Sequence, residues 1–226
     1  MLRRSTFAGE PPFPFFGGLN GQSFRAKTVL NLLQRLPVDG FVETGTFHGF
    51  TSALIAAQTN LPVYTVENKR RYFLAAQPWR LRFPRRLHIV HGDSRSFLAS
   101  PALDGLHLPL VYLDAHWFEL PLVGELKAIT DRFADAVIVI DDFKVPDDDG
   151  YGYDVYGDLS LDMDLIRPAL PERTRAFFPS TPAEQETGVS YWNGQIMKKR
   201  GWVVLGWTPA VINALDAEPG LRPEPE

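Results

Sequence analysis

Five short apolar runs, FVETG (41–45), PVYTVEN (62–68), LHIVHGD (87–93), PLVYLD (109–114) and AVIVIDDF (136–143), recur along the chain with helix-patterned segments between them. Runs that are apolar on both faces read as strands buried on both sides, and helical crossovers make neighbouring strands parallel. This order of elements predicts an α/β fold, a doubly wound, mostly parallel sheet covered by helices on both faces. The helical segments are QSFRAKTVLNLLQRL (22–36), TSALIAAQ (51–58), 69–77 and a stretch around 122–133. RAFFPS (175–180) and GWVVLGW (201–207) supply later strands.

The runs share a second property: they end in carboxylates, namely Glu43, Glu67, Asp93, Asp114 and the pair Asp141–Asp142. One such residue is accounted for by a helix cap or a turn. Five in succession mark one edge of the sheet, and in open parallel sheets ligands bind outside the carboxyl ends of the strands. The first strand turns through Glu43-Thr44-Gly45-Thr46-Phe47-His48-Gly49, with Thr51 opening the next helix. Glycines there let the backbone approach a ligand closely. The dinucleotide fingerprint G-x-G-x-x-G and the phosphate loop G-x-x-x-x-G-K-[ST] are both missing. Glu67 lies about two dozen residues past the first strand end, where a carboxylate accepts hydrogen bonds from ribose hydroxyls. Asp93 and Ser94 end the third strand, where an adenine amino group would be met.

Composition narrows the chemistry. With no cysteine there is no disulfide, thiolate metal site or cysteine nucleophile. A net charge of -4 argues against a nucleic-acid or membrane-surface partner. The basic stretch Lys69–Arg86, broken by Trp79, Phe83 and two prolines, reads as a solvated helix face. The start, MLRRSTFAGEPPFPFFGG, lacks the continuous apolar core of a signal peptide, and no run reaches membrane-helix length, so a soluble cytoplasmic protein is expected. The 226 residues suit a single domain over 1–216, with 1–36 as an amino-terminal cap and first helix and 217–226 as a flexible tail.

In their order, ETGTFHG, VYTVEN, VHGDS and LVYLDAH, spanning about Phe41 to Phe143, resemble the class I S-adenosylmethionine-dependent methyltransferases. The resemblance implies a Rossmann-like sheet of seven strands with an antiparallel last strand. It also implies S-adenosylmethionine as cofactor. Glu43, Gly45, Thr46, Gly49 and Thr51 would form the loop beside its methionine portion, and Glu67 would hold the ribose. Asp93 and Ser94 would approach the adenine, and Asp114 would stand where the cofactor cleft and a metal meet.

Adjacent fourth and fifth strands would bring Asp114, Asp141 and Asp142 together. Like charges at close range repel unless they are protonated or neutralised, and hard oxygen donors suit Mg²⁺ or a similar divalent cation. The arrangement is similar to the metal-dependent O-methyltransferases of the macrocin type, which methylate sugar hydroxyls, with the catechol type as a related layout. The macrocin type places an Asp two residues after the strand-end carboxylate, where this chain has His116. The catechol type follows with His, Trp and a Lys, and no Lys occurs here between Asp114 and Lys127. A neutral histidine can accept a hydroxyl proton near neutral pH, so His116 and Asp114 are the catalytic candidates, with Trp117 as a wall of the site. Tyr151, Tyr153 and Tyr156 in KVPDDDGYGYDVYGD (144–158), together with the Phe/Pro-rich start, suggest a lid over a sugar or an aromatic ring.

The resulting expectation is an O-methyltransferase acting on a hydroxylated small molecule, a sugar or glycosylated natural product first and a catechol-like phenol second. Two alternatives stay open: a non-catalytic cofactor-binding or interaction domain of the same fold, and a different Rossmann-like metal enzyme. The sequence is compatible with a homo-oligomer and does not identify one.

Overall fold

The computed structural model describes residues 17–116, 119–188, 191–192, 195–196 and 198–225. Trp117 and the Phe/Pro segment 11–16 lie outside the described residues. Helix α1 (Ser23–Arg35) leads into β1 (Gly40–Thr44), α2 (Phe50–Gln58), β2 (Val63–Glu67), α3 (Arg70–Arg82), β3 (Leu87–His91), α4 (Ser94–Leu98), β4 (Pro109–Leu113), α5 (Leu122–Arg132) and β5 (Val137–Asp141). A two-stranded hairpin, β6 (Val155–Tyr156) and β7 (Leu159–Ser160), and the short α6 (Met163–Ile166) precede β8 (Arg175–Pro179). A second small hairpin, β9 (Tyr191–Trp192) and β10 (Gln195–Ile196), separates β8 from β11 (Trp202–Gly206), α7 (Pro209–Asp216) and β12 (Leu221–Pro223).

The main sheet has eight strands in the order β12-β8-β11-β5-β4-β1-β2-β3. β1 to β5 pair in parallel, and β11 runs antiparallel to both β5 and β8. The expected strands are all present, but the sheet has eight rather than seven. The extra strand comes from the segment read as a flexible tail: Leu221–Pro223 pairs antiparallel with β8. Leu221 is buried and Arg222 bonds the Pro146 carbonyl at 2.6 Å, so apolar anchoring and an unpaired sheet edge outweigh the Pro-rich composition of this end.

Side chains alternate cleanly across the sheet. Leu110, Tyr112, Val137, Val139 and Val204 face the layer built by α1, α2 and α7, while Val111, Leu113, Ile138, Ile140 and Val203 face α4 and α5. β1, β4, β5 and β11 are buried along their whole length, which explains their near-continuous apolar sequences. β3 is an outer strand and alternates instead, with Leu87 and Ile89 inside. α3 buries only Ala76 and runs on to Arg82 through Pro78, so the basic stretch is indeed largely a solvated helix face. Among the described residues, no helix is long and apolar enough to cross a membrane.

The strand order reverses between β1 and β4. A crevice lies at the carboxyl ends of the strands around this point.

Candidate active site

The crevice is a cavity of about 380 Å³. Its lining includes Glu43, Gly45, Thr46, Thr51, Glu67, Asp93, Ser94, Asp114, His116 and Asp142, so ten of the sequence candidates share one cleft. Gly49 starts α2 just behind it, in the left-handed conformation (φ 76°).

Gly45 is the tightest point. It has φ 81°, and a Cβ there would lie 2.1 Å from the Asp114 carbonyl oxygen. Only glycine lets the β1 and β4 loops close on each other, which brings the loop after β1 against Asp114. Gly45 and Thr46 both donate their N–H to the Val66 carbonyl, fixing the loop to β2.

Two carboxylates brace this loop. Glu67 accepts the Phe47 and Lys69 amides, each at 2.8 Å, and has an edge on the cavity. Glu43 is buried and accepts the hydroxyls of Ser52 (2.5 Å) and Thr65 (2.7 Å). Burial pushes its pKa up from 4.5 to about 7 against those bonds. A raised carboxyl contributes stability that is complete below the unfolded-state value and is lost as pH climbs through the folded-state value. Glu43→Gln should therefore match the wild type near pH 5 and gain on the order of 3 kcal/mol relative to it by pH 8. Urea denaturation across that range checks this, and parallel pH profiles for the two proteins would contradict it.

The remaining candidates divide. Thr51 Oγ1 accepts the Leu19 amide at 3.0 Å and so anchors the segment before α1. Asp93 lines the cavity but caps its own helix, accepting the Arg95 and Ser96 amides and pairing with the Arg95 guanidinium at 2.6 Å. Ser94 beside it is buried.

Asp141 does not join the acidic cluster, contrary to the expected ligand set of Asp114, Asp141 and Asp142. Its carboxylate has no solvent exposure and accepts four donors: Arg25 Nη1 (2.5 Å), Tyr112 Oη (2.6 Å), Asn20 Nδ2 (2.8 Å) and the Asp142 amide (2.7 Å). The reason is strand alternation. Asp141 ends β5 on the face of Val137 and Val139, under α1, whereas Asp142 lies past the strand end and turns back through φ 53° toward the cleft. His116 takes the vacated place: single ligand atoms of Asp114, His116 and Asp142 lie within 4.8 Å of one another. His116 Nε2 is 3.9 Å from Asp142 Oδ2, and neither ring nitrogen has a hydrogen-bond partner among the described residues.

Electrostatics match this geometry. Burial and then the neighbouring Asp141 and Asp142 push the Asp114 carboxyl well above its usual range. Asp142 is pushed to about 6 by burial and Asp141, with Arg200 opposing. Arg200 bonds both Asp142 and Asp154, and all three line the cleft. Phe47, His48 and Tyr72 also line the cleft and pack edge-to-face or tilted on one another, with Phe47 and Tyr72 centroids 4.4 Å apart. Of the expected tyrosine lid, Tyr151 is a core residue bonded to the Thr181 carbonyl, and Tyr156 bonds Asp154.

Arg25, Asn20, Asp154 and Arg200 were not foreseen from the sequence. Only Arg25 left a signal there: it occupies the helical face shared by Thr28, Val29, Leu32 and Leu33.

No protein-family model matches the chain, and among curated proteins none matches significantly. Solved structures do match. An O-methyltransferase from Bacillus cereus in complex with S-adenosylhomocysteine aligns with TM-score 0.56 at 15% identity, covering 82% of this chain and 81% of that one. TomG from Streptomyces achromogenes, an O-methyltransferase of tomaymycin synthesis in complex with S-adenosylmethionine, aligns with TM-score 0.53 at 18% identity, covering 80% and 78%. A precorrin-6y C5,15-methyltransferase from Geobacter metallireducens aligns with TM-score 0.50 at 13% identity, covering 88% and 98%. The chain thus has the class I S-adenosylmethionine-dependent methyltransferase fold. That fold serves O-methylation in the first two proteins and a differently named methylation in the third, so the acceptor is read from the site.

Proposed function

We propose that this chain is an S-adenosylmethionine-dependent O-methyltransferase acting on a hydroxyl of a small molecule, with a divalent cation at Asp114, His116 and Asp142. The observation that carries the reading is the junction at Gly45, where the loop braced by Glu67 touches the backbone of Asp114. That contact joins a nucleoside-type site to a polar cluster inside one cleft.

On this reading Glu67 receives the ribose hydroxyls, and the Gly45–Thr46 backbone borders the methionine portion. S-adenosylmethionine supplies a methyl on an already cationic sulfur, so the protein needs chiefly to orient the acceptor oxygen and accept its proton. The donor set fits a cation: two carboxylates that burial and mutual repulsion push toward protonation, with Arg200 offsetting this in part at Asp142, and a buried imidazole whose nitrogens lack hydrogen-bond partners among the described residues. The cation would supply neutralisation and a lowered hydroxyl pKa. Arg200 and Asp154 offer polar contacts beside Asp142 to an acceptor with more than one hydroxyl. This favours a sugar or glycosylated product over a simple phenol. A second reading keeps His116 as the general base without a cation, and Asp142 at 3.9 Å would then stabilise the imidazolium.

Transfer of a labelled methyl from S-adenosylmethionine to a panel of glycoside and catechol probes tests the proposal. Mg²⁺-dependent labelling that a chelator abolishes is expected. Labelling indifferent to chelator would favour the histidine-base reading, and calorimetric silence toward both S-adenosylmethionine and S-adenosylhomocysteine would overturn the transferase itself.

A further inference from the structure

The overall charge of -4 hides a segregation. Residues 69–86 hold seven of the 23 Lys and Arg residues, and all 27 Asp and Glu residues lie elsewhere. This segment is α3 and the turn after it, packed over β2 and β3 at one end of the main sheet. Phe73, Ala76 and Trp79 form its inner face, against the core. The opposite face carries Leu74, Pro78 and Leu81, spaced to share one stripe of the helix. Leu81 is 81% exposed, the most exposed large apolar side chain among the described residues, and Leu74 is 54% exposed. Arg70 lies on one flank of that stripe and Arg71 and Arg82 on the other, all three exposed.

Folding explains neither part of this pattern. A helix N-terminus is stabilised by acidic side chains and disfavours cations, yet α3 begins with Lys69, Arg70 and Arg71 and has no acid in its first turn. Among the described residues, Arg70, Arg80, Arg82 and Arg85 form no ion pair with a carboxylate. Leucines at the outer pole of a helix add nothing to the core, although a single exposed leucine is ordinary. Two of them on one stripe, framed by cations, make a basic amphipathic face. Such a face suits a surface that offers anions and hydrocarbon together.

The structure points to α3 as a docking surface for an anionic lipid bilayer. The guanidinium groups would meet lipid phosphates, and Leu74 and Leu81 would enter the boundary between headgroups and acyl chains. Nucleic acid fits this face less well. Single strands stack on exposed aromatic rings, whereas Phe73 and Trp79 of α3 pack toward the core and Tyr72 packs on Phe47. A net negative charge argues against a membrane partner only where charge is evenly spread, and here the acid-rich remainder turns α3 toward the anionic surface. Lys69 and Tyr72 also line the cleft, so docking sets the rim of the cleft beside the headgroups. Docking of this kind is independent of the reaction proposed above.

Sedimentation of the full chain with lipid vesicles tests this. Vesicles of phosphatidylcholine mixed with phosphatidylglycerol should carry the chain down, vesicles of phosphatidylcholine alone should not, and about 0.5 M salt should release it. Arg70→Gln combined with Arg82→Gln should weaken vesicle binding by roughly tenfold or more, since each basic side chain near an anionic surface contributes. Leu74→Ser combined with Leu81→Ser should weaken it too, while leaving retention on heparin, which offers anions without hydrocarbon, unchanged. All four side chains are exposed, so both double variants should melt close to the wild type, and the melting curves separate lost binding from lost fold. No binding to the mixed vesicles, or binding that the arginine pair does not change, would overturn the proposal. Binding indifferent to the leucine pair, with single-stranded RNA captured more tightly than vesicles, would overturn it in favour of nucleic acid.

Discussion

His116→Gln should lower methyl transfer by roughly 10²–10⁴-fold, the range for loss of a positioned proton acceptor or its equivalent, while S-adenosylhomocysteine still binds. Among the described residues, the ring supplies the nitrogen of the cluster with Asp114 and Asp142, and it lines the same cleft. Asp142→Asn should act in the same direction and should also abolish Mn²⁺ binding measured by electron paramagnetic resonance in the presence of S-adenosylhomocysteine. Its effect on stability has the opposite sign. The Asp142 carboxyl is raised to about 6 by burial and Asp141, so stability falls as pH climbs from the ordinary carboxylate range through that value, and the loss is complete above it. The asparagine variant should then melt at or above the wild-type temperature at pH 8. Mn²⁺ binding that survives both substitutions would remove this cluster as a cation site.

Arg25→Met should destabilise the fold by about 3–5 kcal/mol, the usual consequence of stranding one member of a buried ion pair. Arg25 and Asp141 are both fully buried, 2.5 Å apart, and Arg25 also donates to Tyr112 and to the carbonyls of Arg200 and Gly201. Its guanidinium thus ties α1, β4, β5 and the entry to β11 together directly behind the cleft. Adding Asp141→Asn to Arg25→Met should recover part of the loss, because the stranded charge goes with it. Urea denaturation of the two single variants and the double variant measures the coupling. Asp141→Asn that leaves stability unchanged but abolishes Mn²⁺ binding would return Asp141 to the ligand set.

These two experiments separate residues that look equivalent as letters. Asp141 and Asp142 are adjacent and identical in type, and both end the same apolar run. The run places them at the sheet edge, because a strand buried on both faces must end where polar groups reach water. It does not say which face each one takes. That depends on the left-handed turn at Asp142 and on an arginine more than a hundred positions earlier in the chain. Glu67, Gly45 and Asp114 were legible for the converse reason. Their placement at the cleft follows from local order, strand end after strand end, and the sheet topology follows from that order as well. Asp93 is the intermediate case, a strand-end carboxylate correctly placed at the cleft but largely engaged by Arg95 two residues on. Strand β12 was hidden because proline and glycine counts describe how a segment behaves alone, not whether an open sheet edge waits beside it.

The crevice at the ends of β1, β2 and β4 is proposed to bind the methyl donor, and isothermal calorimetry with S-adenosylhomocysteine tests this most directly. One molecule bound per chain is expected, with binding weakened by at least roughly tenfold in Glu67→Ala, as for lost hydrogen bonds to a charged group. No heat from the wild-type chain, or equal affinity in the two proteins, would contradict it.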